Sequence, residues 1–429
     1  MEGRSHSPQD QLYGPLSIPS YCWGIIDTPE FQRLRYILQL GCVVYVFPGA
    51  NHTRFEHSLG CAHLASQMID RLQINQPELC IEIVHKQALV IGALCHDLGH
   101  GPYSHLFESV VHNMYCDVSF SHENMSCQIL KYIVKKYNLP LDNNVIEAAC
   151  GVIRGKRYGE YPEWLFSIVA NHDNDIDIDK FDYLSRDMNR TLNISRFEYD
   201  RLIFHCRITD GKLSWRLSEI PTIERLFFNR NDMHHRVYKH RVVISIGCMV
   251  ADILQSFFES LDFDIEELLS DPSLYCKYDD RIMYLAERGE YGAKAMELAN
   301  DIKKRNLYRS IGELIVSPDS CDAIQYSQKD PSRLVDDIAQ LVNNLPPNVI
   351  RVVPLKYRYG LSQRAHPLLQ LPFWKDGVKG IIQLRKEDIS CIVPNCFAET
   401  WMRVFVTDPK YLEIGKVAFM KWKESKYQN

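Results

Sequence analysis

The dipeptide His96-Asp97, set in an apolar run, constrains the fold of this chain more than any other sequence feature. It places two unlike metal ligands side by side. Adjacent residues of an α-helix point about 100° apart, so both side chains can reach one ion only where a helix ends or bends. Gly99, Gly101 and Pro102 supply such a break. The dipeptide therefore predicts a metal site at the end of an apolar helix, completed by ligands from elsewhere in the chain.

Most of the chain has the apolar spacing of helices. Apolar side chains recur every three or four residues as far as Phe258, and the residues Asp27 to Glu30 resemble a capped helix start with proline in the first turn. β-branched stretches become frequent only after residue 349. We predict helices over Phe31 to Leu40, Leu59 to Leu72, Val84 to Leu94, Val242 to Phe258 and Pro394 to Val406, and strands over Ile350 to Pro354 and Gly380 to Leu384.

These patterns indicate a mainly α protein of two parts. A chain of 429 residues that is 46% hydrophobic can bury a large core. We predict a helical body over residues 1–320, whose metal-site core spans residues 50–190, and a smaller C-terminal α+β lobe over residues 321–429. The body is expected to carry the chemistry, and the lobe is expected to serve regulation or oligomerisation.

Composition excludes several classes of protein. The formal charge of −5 gives no overall electrostatic basis for wrapping nucleic acid or adhering to membranes. No apolar run is expected to reach the roughly 18 residues of a membrane span, and the polar start lacks the apolar core of a signal peptide. The 14 cysteines form no CxxC pair, which is typical of reduced thiols. We expect an intracellular protein, with nothing to distinguish nucleus from cytoplasm.

Four residues form a candidate metal-ligand set: His57, His96, Asp97 and Asp179. Each of these histidines, taken alone, is more often an ordinary core or surface residue. Together they supply two imidazoles and two carboxylates, a mixed nitrogen and oxygen set that suits Mn, Fe, Zn or Mg and leaves coordination positions open. An open site is typical of catalysis.

Further histidines follow the glycine break: His100, His105 and then His122. A phosphoester hydrolase needs a proton donor for its leaving oxygen, and imidazole is well matched to that role near neutral pH. Each of the three is a candidate donor. The residues around His122 fit a surface histidine equally well.

With these motifs the chain resembles the HD-domain superfamily of metal-dependent phosphohydrolases, and within it the SAM and HD domain-containing deoxynucleoside triphosphate triphosphohydrolases. The resemblance runs from about Asp10 to Trp422, nearly the whole chain. No counterpart of the family's SAM domain is expected in this sequence. The motifs that carry the resemblance are Ile25–Arg35, Val46–Gly49, Arg54–Leu59, His96–His105, Asp179–Tyr183 and Tyr238–His240.

The resemblance implies cleavage of a dNTP to a deoxynucleoside and intact triphosphate. The divalent metal would be held by the four ligands above, His122 would be catalytic, and His100 and His105 would line the scissile phosphate. Arg54, Lys180 and Arg230 would grip the phosphate tail. The full substrate set implied by the family is Gln39, Leu40, Arg54, His100, His105, Lys180, Tyr183, Asp187, Arg230, His234, Tyr238 and Lys239.

Sugar selection falls to part of that set. By the resemblance, Asp187 and Gln39 read the 3′-hydroxyl, and Tyr238 occupies the space of a 2′-hydroxyl. For Leu40 and the tyrosines, the sequence alone favours ordinary core packing.

The resemblance also implies activation by nucleotides that assemble a tetramer from a nucleotide-free dimer. A guanine nucleotide, GTP or dGTP, would bind first and a dNTP second. The first activator site matches Asp27, Gln32, Arg35, Arg305 and Arg309, and the second matches Val46, Phe47, Arg201, Arg216, His240, Arg241 and Lys375. Single-stranded nucleic acid as a further partner and antiviral defence as a role are also implied by the family.

The activator motifs depart from the family at several positions. Ser218 and Thr222 stand where the family carries a lysine and an asparagine, Lys239 replaces a glutamine, and Arg241 replaces a lysine. The lysine-bearing segment that leads into the family's domain is also missing before Asp10. Activator affinity and choice are therefore expected to differ.

Two other functions fit part of the sequence. An HD enzyme acting on a nucleoside monophosphate, a cyclic nucleotide or an alarmone would keep the metal set but would not need the three phosphate-tail cations. A nucleotide- or nucleic-acid-binding regulator without turnover would fit the altered activator positions but would not need all four metal ligands. The sequence favours the triphosphohydrolase.

Overall fold

The structure, a computed structural model, describes residues 6–195, 197–316, 331–389 and 396–427. Its α-helices are, in chain order, α1 Trp23–Ile26, α2 Pro29–Gln32, α3 Arg54–Asn75, α4 Ile83–Cys95, α5 His105–Met114, α6 His122–Lys136, α7 Asn143–Arg154, α8 Ile178–Leu192, α9 Asp200–His205, α10 Ile220–Met233, α11 Arg241–Glu259, α12 Ile265–Ser270, α13 Pro272–Tyr275, α14 Ile282–Glu287, α15 Gly292–Lys304, α16 Pro331–Ala339 and α17 Leu412–Tyr427. Its strands are β1 Gln9–Asp10, β2 Gly14–Pro15, β3 Arg207–Thr209, β4 Lys212–Arg216, β5 Arg309–Val316, β6 Ile350–Arg358, β7 Phe373–Trp374 and β8 Ala398–Val406. The predicted mainly α class is confirmed.

The chain forms two compact units that alternate along the sequence. The first unit comprises Met1–Arg230, Leu261–Ile282 and Pro367–Cys391, and the second comprises Asn231–Ser260, Met283–His366 and Ile392–Asn429. The predicted boundary between residues 320 and 321 lies outside the described residues and stays a prediction.

In the first unit, α4 packs against both α3 and α7. Its residues from Ala88 to Cys95 are all buried, which explains why this part of α4 is apolar on every side. A Cβ on Gly92 would lie 2.6 Å from Cγ1 of Val152, so the α4–α7 contact needs a glycine there. This helix ends at the residue before His96 and so delivers the first predicted ligands.

The predicted break after α4 is confirmed. His96 is the C-cap residue of α4, and the chain then turns until α5 begins at His105. Buried Arg33 holds this turn, because its guanidinium donates to the carbonyl oxygens of Leu98 and His100 at 3.2 and 2.6 Å. A Cβ on Gly99 would lie 2.0 Å from the His122 carbonyl oxygen, so glycine allows α6 to begin against the turn.

The first predicted helix is only partly right. Thr28 caps α2 by accepting from the Phe31 N–H, and Pro29 is its first residue, as the capping pattern predicted. After one turn, however, the chain tightens to a 3₁₀ helix over Arg33–Tyr36, and Leu38 is extended in a bridge to Thr53. The prediction of a helix from Phe31 to Leu40 is therefore wrong, because the backbone N–H of Leu38 bonds the Asp280 carboxylate and not a preceding helical turn.

The first unit also contains a small sheet in the order β3-β4-β7, with β4 and β7 parallel. The predicted strand over Gly380 to Leu384 is wrong: in this stretch Ile382 forms an isolated bridge to Phe373. A single bridge is too short to make a strand.

The second unit contains an antiparallel sheet in the order β5-β8-β6. The predicted strand at Ile350 is confirmed and runs to Arg358; its Pro354 is tolerated because β6 is an edge strand. The described part of the segment Pro394 to Val406 is the strand β8, so the helix prediction there is wrong. Met402 to Val406, including Arg403, are all buried in this central strand, so the sequence lacks the alternation of apolar and polar residues that identifies half-buried strands.

Helix α11 is the long apolar helix of the second unit. By length and composition alone it could cross a membrane, contrary to the expectation that no run is long enough. More than half of it is buried, and it carries Ser245, which donates to the Tyr308 carbonyl oxygen at 2.7 Å. These features are typical of a core helix, and a single such helix is weak support for a membrane span.

Candidate active site

The four predicted metal ligands meet in the first unit. They come from the first turns of α3 and α8 and from the end of α4. Nε2 of His57 lies 3.2 Å from Nε2 of His96, 3.0 Å from Asp179 Oδ1 and 3.6 Å from Asp97 Oδ2. Nε2 of His96 lies 3.4 Å from Asp97 Oδ1. Nε2 of both histidines, Asp179 Oδ1 and Cys61 Sγ form a group of possible ligand atoms within 4.8 Å of one another, and Asp97 borders this group with both of its oxygens.

The hydrogen bonds of the two imidazoles show that this point suits a cation. Nδ1 of His57 donates to Asp182 at 2.7 Å, and Nδ1 of His96 donates to the Ala93 carbonyl oxygen at 2.8 Å. In the neutral rings both Nε2 atoms are then unprotonated, so two lone pairs face each other and the carboxylates. Electron-pair donors that face one another in this way need positive charge among them, which a divalent cation or a proton on one ring can supply. The residues present therefore fit a divalent metal.

Asp182 orients the ligand histidine. Besides His57, its carboxylate accepts from Arg186 and from the Tyr13 hydroxyl, with distances of 2.8 to 3.0 Å. The carboxylate is fully buried because α3 and α8 approach closely at Gly60, where a Cβ would lie 2.0 Å from Asp182 Oδ1. Carboxylates that hold the second nitrogen of a ligand histidine fix its tautomer and raise its basicity.

The three histidines after the break form one cluster. The rings of His100 and His122 stack with centroids 4.0 Å apart, and His105 meets both edge-on. Glu108 accepts from Nδ1 of His122 at 2.9 Å. Partial burial would raise the pKa of Glu108, but the hydrogen bond from His122 lowers it. Glu108 is therefore ionised and holds the His122 ring through this hydrogen bond.

His100 differs from His122 in its surroundings. It is buried, and its Nε2 lies 3.3 Å from Asp97 Oδ1. Burial and the nearby Arg54 hold the pKa of His100 well below its ordinary value. His100 is therefore neutral near pH 7 and suited to hydrogen bonding, whereas His122 differs in having the carboxylate of Glu108 on its Nδ1.

The three predicted phosphate-tail cations are each paired with a carboxylate. Arg54 donates to Asp97, and Arg230 donates to Asp175. Lys180 contacts Asp175 and Asp177, both at 2.9 Å. Nε of Arg230, although buried, has no hydrogen-bond partner among the described residues. The guanidinium therefore keeps a donor open.

Two of the predicted sugar-reading residues are joined through His52. Nε2 of His52 bonds Asp187 at 2.7 Å, and the His52 carbonyl oxygen accepts from the Gln39 backbone N–H at 3.0 Å. Leu40 follows as the N-cap of a 3₁₀ helix over Gly41–Tyr45. Within the described residues, the buried Oε1 of Gln39 has no partner, so it is available to a ligand hydroxyl.

Asp280 fixes the segment before Gln39 to the turn after the metal ligands. Its carboxylate accepts from the backbone N–H groups of Tyr103 at 2.7 Å and Leu38 at 2.9 Å. Tyr103 and Ser104 both have positive φ, of 60° and 58°, which non-glycine residues rarely adopt. Such backbone strain clusters at functional sites and needs support of this kind.

The other predicted substrate residues divide between the units. Tyr183 lies on α8, one turn after Asp179, and burial raises its pKa to about 12. His234, Tyr238 and Lys239 belong to the second unit, the first two in a π-helical turn over His234–Tyr238. There the ammonium of Lys239 lies 4.3 Å from the centre of the Tyr357 ring and donates to the Lys356 carbonyl oxygen.

The residues predicted for the first activator site are partly grouped. In the first unit, Arg35 donates to Gln32 at 2.7 Å, Gln32 donates to the Ile26 carbonyl oxygen at 2.8 Å, and Asp27 ends α1. Arg305 and Arg309 belong to the second unit. Arg305 caps α15 in the left-handed conformation, and Arg309 begins β5.

The residues predicted for the second activator site are also divided between the two units, and two of its arginines bond carboxylates. In the first unit, Arg201 donates to Glu219 at 2.6 Å, and Arg216 donates to Asp376 at 2.7 Å beside Lys375. Val46 and Phe47 follow the 3₁₀ helix Gly41–Tyr45. In the second unit, His240 caps α11 by accepting from the Val242 N–H, and Arg241 is its first residue.

Sequence reasoning missed five residues that support the site: Arg33, His52, Glu108, Asp182 and Asp280. Two of them carried a usable signal. Glu108 follows His105 by three residues and Asp182 follows Asp179 by three, so each lies on the same helix face as a predicted site residue. The others are brought in by tertiary packing, for which no local pattern exists.

Comparisons with known proteins agree with the geometry. The HD domain family matches residues 54–187, which contain all four predicted metal ligands. The HD associated region matches residues 197–358.

Full-length relatives extend the match to most of the chain. The deoxynucleoside triphosphate triphosphohydrolase SAMHD1 homolog of Dictyostelium discoideum is 35% identical over 418 residues, covering 96% of this chain and 79% of that protein. SAMHD1 of Gallus gallus is 31% identical, with 96% and 74% covered. SAMHD1 of Homo sapiens is 29% identical, with 96% and 72% covered. This chain therefore belongs to the SAMHD1 family of HD-domain deoxynucleoside triphosphate triphosphohydrolases.

Proposed function

We propose that this chain is a metal-dependent triphosphohydrolase that converts a dNTP to a deoxynucleoside and inorganic triphosphate. The carrying observation is the convergence of His57, His96, Asp97 and Asp179 beside the histidine cluster. The relatives named above, which are dNTP triphosphohydrolases by name, support the same reaction.

The reaction requires one bond to form and one to break. A water oxygen bonds to the α-phosphorus and releases a proton to solvent, the bond from phosphorus to the 5′-oxygen breaks, and the 5′-oxygen takes up a proton. A divalent cation (Zn, Fe, Mn or Mg) bound by the four ligands would supply Lewis-acid activation of the α-phosphate. Arg54 lies beside that position, bonded to Asp97, and contributes positive charge to it.

His122 is the proton donor in this proposal. Its Nδ1 donates to the ionised Glu108, whereas burial and the nearby Arg54 hold the pKa of His100 well below its ordinary value. When the 5′-oxygen leaves, His122 gives it the proton and retains its hydrogen bond to Glu108. His105, whose side chain is 73% exposed, lies at the open side of the cluster and contacts substrate.

Product identity tests the proposal. Purified protein is incubated with Mg²⁺ or Mn²⁺, GTP and each dNTP, and the phosphate products are separated. Equal amounts of deoxynucleoside and triphosphate are expected, and Asp179→Ala should abolish both whereas Asp173→Ala, in the exposed part of the same loop, should not. Release of pyrophosphate or orthophosphate would contradict the proposal.

We further propose that GTP or dGTP at the first activator site and a dNTP at the second drive assembly of a tetramer. The resemblance of Asp27, Gln32 and Arg35 to the family's guanine site supports this, and Arg35 bonds Gln32 there. Arg201 and Arg216, each paired with a carboxylate, support the second site. Light scattering should report a rise in mass with GTP and dNTP that parallels turnover. Full turnover by a species of unchanged mass would contradict it.

We also propose an intracellular location. Within the part of the chain that the structure describes, 12 cysteines are free, as expected in a reducing compartment. Fractionation of cells that express a tagged chain tests this, and recovery from the medium would contradict it.

A further inference from the structure

Asp175 binds two of the cations that the proposed function assigns to the substrate's phosphate tail. Its Oδ1 lies 2.9 Å from Nζ of Lys180, and its Oδ2 accepts from Nη1 of Arg230. The three side chains are 12 to 18% exposed, so water screens the pairs only partly. Both carboxylate oxygens thus stand where phosphate oxygens would have to bind these cations.

The second carboxylate on Lys180 has a different role. Asp177 contacts Lys180 at 2.9 Å, but it is the N-cap residue of α8 and also accepts the backbone N–H groups of Lys180 and Asn171, both at 3.1 Å. Asp177 is therefore needed for the helix start. Among the described residues, the Asp175 carboxylate forms ion pairs only with Lys180 and Arg230.

The backbone, and not the ion pairs, places Asp175. Its N–H bonds the Asn171 carbonyl oxygen at 3.0 Å, and the amide oxygen of Asn174 accepts from Ile176. Asp175 itself has φ of 65°, in the left-handed region that favours glycine and is tolerated by Asn and Asp. The turn therefore holds the carboxylate toward the cations at some conformational cost.

We propose that Asp175 is an internal competitor for the phosphate tail and so determines specificity for highly charged phosphates. This rests on the proposed function, because it deepens the role given there to Lys180 and Arg230. A ligand that binds Lys180 and Arg230 must displace the Asp175 carboxylate from both of them. A triphosphate offers several charged oxygens in the arrangement that guanidinium and ammonium groups bind, whereas one phosphate group gains less from the exchange. Asp175 thereby disfavours ligands with short phosphate tails.

Titration calorimetry with inorganic triphosphate and Mg²⁺ tests this on the full chain. Asp175→Asn keeps the shape and the left-handed tolerance, and Asp175→Gly adopts that φ freely, so both should fold. Both variants should bind triphosphate about five- to tenfold more tightly than the wild type. Asp173→Asn, in the same turn but exposed, should change the Kd less than about twofold. Binding of a deoxynucleoside, which has no phosphate, should be unaffected by all three.

Kinetics supply a second readout. With dNTP, Asp175→Asn should lower KM by a similar factor, and a purely structural role for Asp175 would instead lower the melting temperature and raise KM. Unchanged or weaker triphosphate binding in both Asp175 variants, at the wild-type melting temperature, would overturn the inference. If the wild type releases no triphosphate from dNTP, the proposed function fails, while the calorimetric comparison still decides whether Asp175 competes for the anion site.

Discussion

At the scale of single residues, the orientation of His57 depends on a carboxylate outside the metal set. Asp182 holds Nδ1 of His57 and is itself held by Arg186 and Tyr13. The lone pair on Nε2 is therefore fixed in direction before any ligand binds. A site built in this way should lose metal affinity through a residue that never touches the metal.

We expect Asp182→Asn to weaken metal binding by about 10- to 100-fold, because its NH2 group replaces one of the two oxygens that accept from His57, Arg186 and Tyr13, so two donors would face each other. Metal content after dialysis against graded chelator measures this. Asp70→Asn, an exposed site on α3, is the control. Wild-type metal retention by Asp182→Asn would show that His57 is oriented by other means.

We expect His122→Ala to lower kcat by about 10²- to 10⁴-fold with little change in KM, because the leaving 5′-oxygen then lacks its proton donor. Glu108→Gln should lower kcat less. His172→Ala, at an exposed histidine bonded to the Arg154 carbonyl oxygen, should be silent. A His122→Ala enzyme with wild-type kcat would move the donor role to His100 or His105.

The candidate metal ligands could be grouped from the sequence because their residue types are rare in apolar surroundings and stand in motifs that resemble those of the HD-domain superfamily. Asp175 could not be assigned its role, because its partner Arg230 lies far away in sequence and only folding brings them together. Arg54, Lys180 and Arg230 were predicted as phosphate-tail cations, but their carboxylate partners follow from tertiary structure alone.

At the scale of elements, helix contacts set the geometry of the metal site. α3 and α8 touch at Gly60, where a Cβ would overlap Asp182 and lie 2.7 Å from Nη2 of Arg186. Helical spacing in the sequence predicted parts of α3, α4 and α11 correctly, because each buries an apolar face. It failed at β8, where burial on both faces removed the alternation that identifies strands.

Two glycine substitutions should have opposite effects. Gly60→Ala should lower the free energy of unfolding by about 1–3 kcal/mol and weaken metal binding, because the added methyl group pushes α3 from α8. Gly247→Ala, on α11 with no heavy atom within 4 Å of the added Cβ, should raise stability by up to about 1 kcal/mol through helix propensity. Chemical denaturation measures both, and a stabilised Gly60→Ala protein would contradict the close approach.

Asp280 should make the link between its two segments pH-dependent. Burial raises the pKa of Asp280 to about 7, in spite of the N–H groups of Tyr103 and Leu38. The folded state then holds a proton that the unfolded carboxyl, with an ordinary pKa of 3.8, has released, so stability falls as pH rises from about 4 to about 7.

Urea denaturation at pH 5 and pH 7 measures this effect as a difference between proteins. Relative to Asp280→Asn, which cannot titrate, the wild type should lose about 1–2 kcal/mol over this interval. Asp262→Asn, at an exposed site nearby, should follow the wild type. Parallel pH dependence of wild type and Asp280→Asn would show that Asp280 stays ionised throughout.

At the scale of the whole molecule, neither unit is continuous in sequence. The first unit includes Pro367–Cys391, whose strand β7 pairs with β4. The second unit includes residues on both sides of that segment. The sequence predicted one boundary because composition changes once. The sequence could not predict that the chain alternates between the units, because each segment that rejoins a unit is short and does not stand out in composition.

A chain truncated after residue 320 should therefore not fold cooperatively. β4 would lose β7, and β5 would lose its antiparallel partner β8, leaving apolar strand edges prone to association. Circular dichroism melting and size-exclusion chromatography measure the outcome. A monomeric truncated chain with a sharp thermal transition would contradict this and would support a domain boundary near residue 320.

Strand β7 is synthesised long after its partner β4, and this order affects folding during biosynthesis. The helices that carry the metal ligands are complete by Leu192, yet the first unit receives its last segment only when Cys391 has been made. At about 5–20 residues per second, the interval between synthesis of Ile282 and of Pro367 lasts on the order of ten seconds. During that interval the edge of β4 has no native partner. Newly made chains should therefore depend on chaperones for longer than a helical body that folds from its N-terminus alone.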